Sequence, residues 1–197
     1  MLRKSVGSLM LLASVYASAG ENYFQNSWDA KGLLALEGGF GIGSVKQTQN
    51  DPATGALFVL NSTNEAAISG GFKLGGESEH YRLFLSARYH EVQDFDSVVT
   101  AGAELQYLIR AGENFNIFLG VNGGMMASQK TIGALEYSTD NAYAGVDAGV
   151  NIDITENFGL ELGARLNNTF DDSDNPANIA YLAEGYASLV FKFTGDY

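Results

Sequence analysis

The sequence predicts an all-β fold, an eight-stranded antiparallel up-and-down transmembrane β-barrel. Three observations carry that expectation. The first is a period of two in hydrophobicity along eight segments, best seen from Tyr181 to Phe193. There the odd positions Tyr181, Ala183, Gly185, Ala187, Leu189, Phe191 and Phe193 carry no charge, while Glu184, Tyr186, Ser188 and Lys192 alternate with them. A period of two places alternate side chains on opposite faces of an extended strand. Thirteen residues at roughly 3.3 Å each, tilted by about 40°, cover the hydrocarbon thickness of a bilayer. The second observation is that strand charges gather on one parity. The third is that aromatic residues on the other parity are sorted by height along the strands.

The bulk composition agrees. The chain has 197 residues, 24 glycines, 2 prolines and no cysteine, which suits many strands joined by turns without disulfide support. Residues 1–19 read as a secretory signal peptide: Arg3 and Lys4 precede the apolar run from Leu9 to Tyr16, and Ala17-Ser18-Ala19 supplies a small-residue cleavage site. Removing Arg3 and Lys4 takes the net charge from −12 to −14. So acidic a chain argues against nucleic acid, which attracts a basic patch. Beyond the signal no apolar run is long enough for a membrane helix, but a strand barrel hides its membrane content because half of every strand is polar.

Residues 20–32 form a lead-in with Tyr23, Phe24 and Trp28, and the barrel is expected over 33–193. The first strand, about Leu33 to Val45, sets Leu34, Leu36, Phe40 and Ile42 against Glu37, and a long loop is expected from Lys46 to Thr63. The second, about Asn64 to Leu74, sets Ala66, Ile68, Phe72 and Leu74 against Lys73, before the turn Gly75 to Glu79. The third, about His80 to Val92, sets Tyr81, Leu83, Leu85 and Tyr89 against Arg82, Ser86, Arg88 and His90. The fourth, about Val98 to Arg110, sets Val99, Leu105, Tyr107 and Ile109 against Glu104 and Gln106. The fifth runs from Phe115 to about Met126 and leads to a long loop, Ser128 to Asp140. The sixth, about Ala142 to Ile154, turns the acids Asp147 and Asp153 away from its apolar positions. The seventh starts at Phe158, with Glu161 and Arg165 on its polar side, and a loop from Asn167 to Asn178 leads to the last strand; residues 194–197 are a tail. Four longer connections alternate with three short turns, which puts the long loops at one rim and the turns and termini at the other.

Thirteen strand charges fall on the polar parity: Glu37, Glu65, Lys73, Arg82, Arg88, Glu104, Arg110, Asp147, Asp153, Glu161, Arg165, Glu184 and Lys192. A charge facing lipid at mid-bilayer costs roughly 2–4 kcal/mol, so a membrane barrel turns such residues inward. Phe72, Tyr81, Tyr107, Phe115, Phe158 and Phe193 sit on the apolar parity at the turn end of their strands, with Tyr89 and Tyr181 at the opposite end. That arrangement predicts two aromatic girdles at the membrane interfaces, and a soluble core has no reason to sort aromatics by height. The lumen is expected to hold a polar, salt-bridged network of Glu37, Lys73, Arg82, Arg88, Glu104, Asp147, Asp153, Glu161, Arg165, Glu184 and Lys192. Arg88, Arg165 and Glu184, with Glu65, fall in an upper layer, and Arg82, Lys73, Lys192 and Asp153 in a lower one.

The last strand, ending on the aromatic Phe193, resembles the C-terminal insertion signal of bacterial outer-membrane barrels, although Thr194 to Tyr197 follow it where that family usually stops. With the signal peptide, eight amphipathic strands and aromatic girdles, the mature chain resembles the small barrels of the OmpA-transmembrane-domain and OmpX/Ail type. The resemblance implies the cell outer membrane, contact with its lipid and lipopolysaccharide, recognition of the last strand by the barrel-assembly machinery, and a monomer. That family includes structural barrels, adhesins and serum-resistance factors, and a fold does not choose among them.

No catalytic residue, cofactor or metal is assigned, and a host or extracellular ligand is expected only at the external loops, where Gly55 to Leu60 and Thr131 to Tyr137 are apolar. Other readings stay open. The network would admit a gated ion path. Some barrels of the kind this chain resembles are lipid-modifying enzymes with a Ser and a His near the outer interface, and the resemblance would give those places to Ser86 and His90, four residues apart on one face. Asp171, Asp172, Asp174 and Asn175 would suit Ca²⁺ or Mg²⁺. A soluble lipocalin-like barrel would invert the faces, but about forty apolar side chains overfill an eight-stranded interior.

Overall fold

The computed structural model describes residues 31–50, 57–93, 95–132, 135–170 and 177–193. The signal peptide, residues 20–30 of the lead-in, the acidic cluster Asp171 to Asn175 and the tail lie outside the described residues.

Eight strands form one closed antiparallel barrel in sequence order: β1 (Lys31–Asn50), β2 (Leu57–Glu77), β3 (Tyr81–Val92), β4 (Ser97–Arg110), β5 (Phe115–Ile132), β6 (Leu135–Thr155), β7 (Phe158–Phe170) and β8 (Ala177–Phe193). Each strand hydrogen-bonds its successor, and β1 closes the ring on β8, with Gly32 opposite Phe193 and Ser44 opposite Tyr181. Closure leaves no unpaired edge, as a bilayer requires of backbone polar groups.

The two faces are inverted relative to a soluble barrel. Leu83, Leu119, Val146 and Leu162 would meet across the centre of a lipocalin-like fold, yet here they are 41%, 54%, 56% and 42% exposed on the outside. Lys73, Arg82, Glu104 and Glu161 are fully buried inside. Lateral hydrocarbon is the solvent this surface suits. Charges do reach the outward face at Lys46, Glu91 and Asp140, all exposed and all toward the long-connection rim. Like Lys46 and Asp140, Glu91 stands on the parity opposite to the lumen charges, next to Val92, where β3 ends.

Two expected loops are largely strand. Lys46–Asn50 and Leu57–Thr63 extend β1 and β2 and stay paired, through a bulge between Gln47 and Thr48. The expected loop from Ser128 to Asp140 is the end of the β5–β6 hairpin, where Thr131 pairs with Glu136 and Ile132 with Leu135. The apolar segments Leu57–Leu60 and Thr131–Tyr137 are therefore strand residues, apart from 133–134, which lie outside the described set along with residues 55–56. Backbone pairing continues there after the outward apolar alternation has stopped. Strands β1, β2 and β6 reach 20, 21 and 21 residues against 12 and 14 for β3 and β4, so the β1–β2 and β5–β6 hairpins are the tall ones. Strand β1 also starts two residues early, taking Lys31 and Gly32 from the expected lead-in.

Candidate functional site

The lumen is where the titratable side chains converge, and strand parity puts them there. Glu37 is the hub. Its carboxylate accepts from Arg88 Nε at 2.6 Å, from Arg165 Nη1 at 2.9 Å and Nη2 at 3.1 Å, and from Ser188 Oγ at 3.3 Å, with Lys73 Nζ 3.3 Å away. Glu104 pairs with Arg88 Nη2 and lies 3.6 Å from Arg165 Nη2 and 3.9 Å from Lys73 Nζ. Glu161 accepts from Lys73 Nζ at 2.6 Å and Arg82 Nη1 at 3.2 Å. Isolated charges do not survive in such a place, and the multiple partners are what offset their desolvation.

The two-layer arrangement expected from strand heights is only partly found. Arg88, Arg165 and Glu184 share a layer through Glu37 and His90, and Lys192 with Asp153 holds the turn-side mouth at 2.8 Å. Lys73 belongs to neither layer alone: it bridges Glu161, Glu37 and Glu104. Asp147 has no ion pair among the described residues and accepts instead from the amides of Gln106 at 3.2 Å and Asn122 at 3.3 Å. Glu77, read from sequence as a turn residue, closes the mouth by accepting from Arg82 Nε at 2.5 Å and Lys192 Nζ at 2.9 Å. The signal for it was present, since Glu77 continues the odd parity of Lys73 on β2.

The expectation of a wholly polar filling is corrected. Ala67, Val92, Val98, Met126, Tyr143, Ile179 and Leu182 form a buried apolar cluster inside the loop-side end, with Phe95 packed on it. On the turn side Leu33, Ala35, Phe84 and Val190 form a second cluster, and Leu108, Phe118 and Tyr186 a third. An eight-stranded lumen has room only for side chains, and apolar ones fill the levels where no ion pair is available. Tyr186 links the two chemistries: its ring lies 5.1 Å from Lys73 Nζ and 4.4 Å from Arg165 Cζ. Gly163 makes room for it, because a Cβ there would stand 2.6 Å from the ring. The Tyr186 hydroxyl is buried without a hydrogen-bond partner among the described residues. Tyr186→Phe keeps the ring and removes an unsatisfied group, so it is expected to leave stability unchanged or raise it by up to about 1 kcal/mol, read from urea unfolding of the refolded barrel.

His90 and Ser86 do not form a pair. His90 is fully buried beneath the apolar cluster, with Nδ1 2.9 Å from Glu184 Oε1 and Nε2 2.9 Å from Thr100 Oγ1. Ser86 Oγ accepts from Arg88 Nη1 at 2.9 Å instead. Four residues along a strand is about 13 Å, beyond side-chain reach for a serine and a histidine.

The aromatic side chains of the outer face sit as follows. Phe72, Tyr81, Tyr107, Phe115 and Phe193 are exposed toward the turn rim, and Phe158 is half-buried there against Phe191, with ring centres 5.4 Å apart. Tyr81 and Tyr107 lie 5.2 Å apart on neighbouring strands. At the other end Tyr89 is exposed, and Tyr181 donates from its hydroxyl to Asn64 Oδ1 at 3.1 Å.

No protein-family model and no curated protein sequence matches this chain. The solved structures that share the architecture include two small barrels. Neisserial surface protein A aligns with a TM-score of 0.60 at 15% identity, over 81% of this chain and 97% of that one. The N-terminal β-barrel domain of Pseudomonas aeruginosa OprF aligns with a TM-score of 0.53 at 13% identity, again over 81% and 97%. At such identities the likeness is one of fold, and the fold of this chain is that of the small eight-stranded outer-membrane barrels.

Proposed function

We propose that this protein is an integral barrel of the cell outer membrane, with a closed lumen and a structural or adhesin-like role carried by its external hairpins. The observation that carries the reading is the inversion of faces: apolar side chains cover the outside at mid-height while ion pairs and apolar clusters fill the inside. The aromatic residues at both rims serve as anchors in the headgroup regions of lipid and lipopolysaccharide. Strand β8, paired on both sides in the finished ring, is the element the assembly machinery would read. The tall β1–β2 and β5–β6 hairpins stand furthest from the bilayer and offer the first surface to a host or matrix ligand.

The test is fractionation followed by electrophoresis with and without boiling. The protein is expected in the outer-membrane fraction and to migrate differently when unheated; recovery from the soluble periplasm would overturn the reading. In planar bilayers the folded protein is expected to show no stable conductance. Steady ohmic current would replace the closed lumen by a narrow ion path. Trimming residues 51–60 and 131–137 is expected to lower binding to host cells or matrix while the heat-dependent band shift survives, and unchanged binding would leave the structural role alone.

A further inference from the structure

We propose that Asp147, Asn122, Asn167 and Gln106 form an oxygen-lined site inside the barrel for a small monovalent cation, sodium or potassium. Asp147 is nine-tenths buried on β6, and its neighbour in register on β7 is Arg165. That guanidinium is nonetheless committed elsewhere, to Glu37 at 2.9 Å and to Glu104 and Glu184 at 3.6 Å. Of the five buried lumen carboxylates Glu37, Glu104, Glu161, Glu184 and Asp147, the first four each face at least one of Lys73, Arg82, Arg88, Arg165 and His90. Asp147 is the one of the five without an ion pair among the described residues, and takes only two amide hydrogen bonds.

The second observation is independent of charge. Three buried amides near Asp147 each leave an oxygen without a hydrogen-bond donor among the described residues: Gln106 Oε1, Asn122 Oδ1 and Asn167 Oδ1. These residues are 0%, 7% and 1% exposed. Register brings them together, since Asn122, Gly145 and Asn167 face one another across β5, β6 and β7, and Gln106, Gly120 and Asp147 form the adjacent row across β4, β5 and β6. Each row has a glycine with oxygens packed over it, the Asn167 and Asn122 amide oxygens in one row and the Asp147 carboxylate, toward which Gln106 and Asn122 turn their amide nitrogens, in the other. A Cβ at Gly145 would lie 2.2 Å from Asn167 Oδ1 and 2.8 Å from Asn122 Oδ1, and one at Gly120 would lie 2.7 Å from both carboxylate oxygens of Asp147. Buried acceptors without donors are rare in folded proteins and ask for an occupant.

Oxygen-only ligands suit hard cations. One carboxylate with neutral amide oxygens balances a single positive charge, whereas calcium sites usually gather several carboxylates. A buried water would satisfy some of the acceptors but leave the charge of Asp147 unmatched.

The test is the thermal midpoint of the whole barrel, refolded in non-ionic detergent with enough urea to bring the transition into range, read by circular dichroism. Choline chloride is exchanged for sodium or potassium chloride at constant ionic strength. The wild type is expected to gain about 3 °C or more in at least one of the two alkali salts, the shift that ligand linkage gives for a domain of this size. Asp147→Asn and Asn122→Ala are expected to lose that gain. Equal midpoints in all three salts overturn the proposal and need no variant to fold. A gain that survives in either variant, or that appears with magnesium or calcium but not with the alkali ions, overturns it too. In crystals of the wild type grown with thallium(I), an anomalous peak between Asp147 and Gly145 supports the site, and its absence there counts against it.

Discussion

Glu37→Ala is expected to lower the unfolding free energy of the barrel by about 3–5 kcal/mol, the cost of removing one partner from a buried ion pair. Glu37 earns this rank because Arg88, Arg165 and Lys73 all lean on one carboxylate, and none of the three can reach water from inside the ring. Urea titration of the protein refolded in phospholipid vesicles, scored by the heat-dependent band shift, measures the loss. Ser188→Ala removes only one long hydrogen bond to the same oxygen and is expected to cost about 1 kcal/mol or less. The double variant Glu37→Ala with Arg165→Ala is expected to be less unstable than the sum of the two singles, because the stranded guanidinium is gone. Additive losses would show that the network is a set of separate contacts and not one charge-balanced unit.

Val121→Arg tests the other face. Val121 is 57% exposed on β5 between Leu105 and Val146, themselves exposed, in the apolar band of the outer wall. Arginine there is expected to cost about 2–4 kcal/mol in vesicles. On a soluble barrel an exposed substitution of this kind stays within about 0.5 kcal/mol. The same substitution beside Glu91 or Asp140, near the loop rim where acids already face outward, is expected to be nearly silent. A flat response at Val121 would mean that this wall does not meet hydrocarbon.

Much of the barrel was legible in the sequence because lipid imposes a strict rule on one parity. Leu83, Leu85 and Tyr89 must be apolar, so the alternation in β3 survives without any knowledge of pairing partners. The lumen imposes no such rule. Phe84 and Phe118 share the parity of Arg82 and Asn122, and nothing local says that one inward position packs and the next one pairs. That choice depends on which residues of distant strands arrive at the same height, as Leu33 and Val190 do beside Phe84. Hairpin length was illegible for a related reason. Above the membrane the apolar face ends while hydrogen bonding continues, so Lys46–Asn50 and Asn61–Thr63 read as loop although they are paired. Asp147 was placed in the lumen by parity, but its lack of an ion pair follows from where Arg165 points.

The seam between β1 and β8 carries a consequence for biogenesis. Strands β1 and β8 are each other's neighbours, with Gly32 beside Phe193, so the ring cannot shut until β8 has been delivered. Until then β1 and β7 each present a long unsatisfied border, the template on which foreign chains aggregate. Such a polypeptide has every reason to be kept unstructured in transit, and a nascent copy truncated before Ala177 is a substrate for degradation and not a smaller barrel.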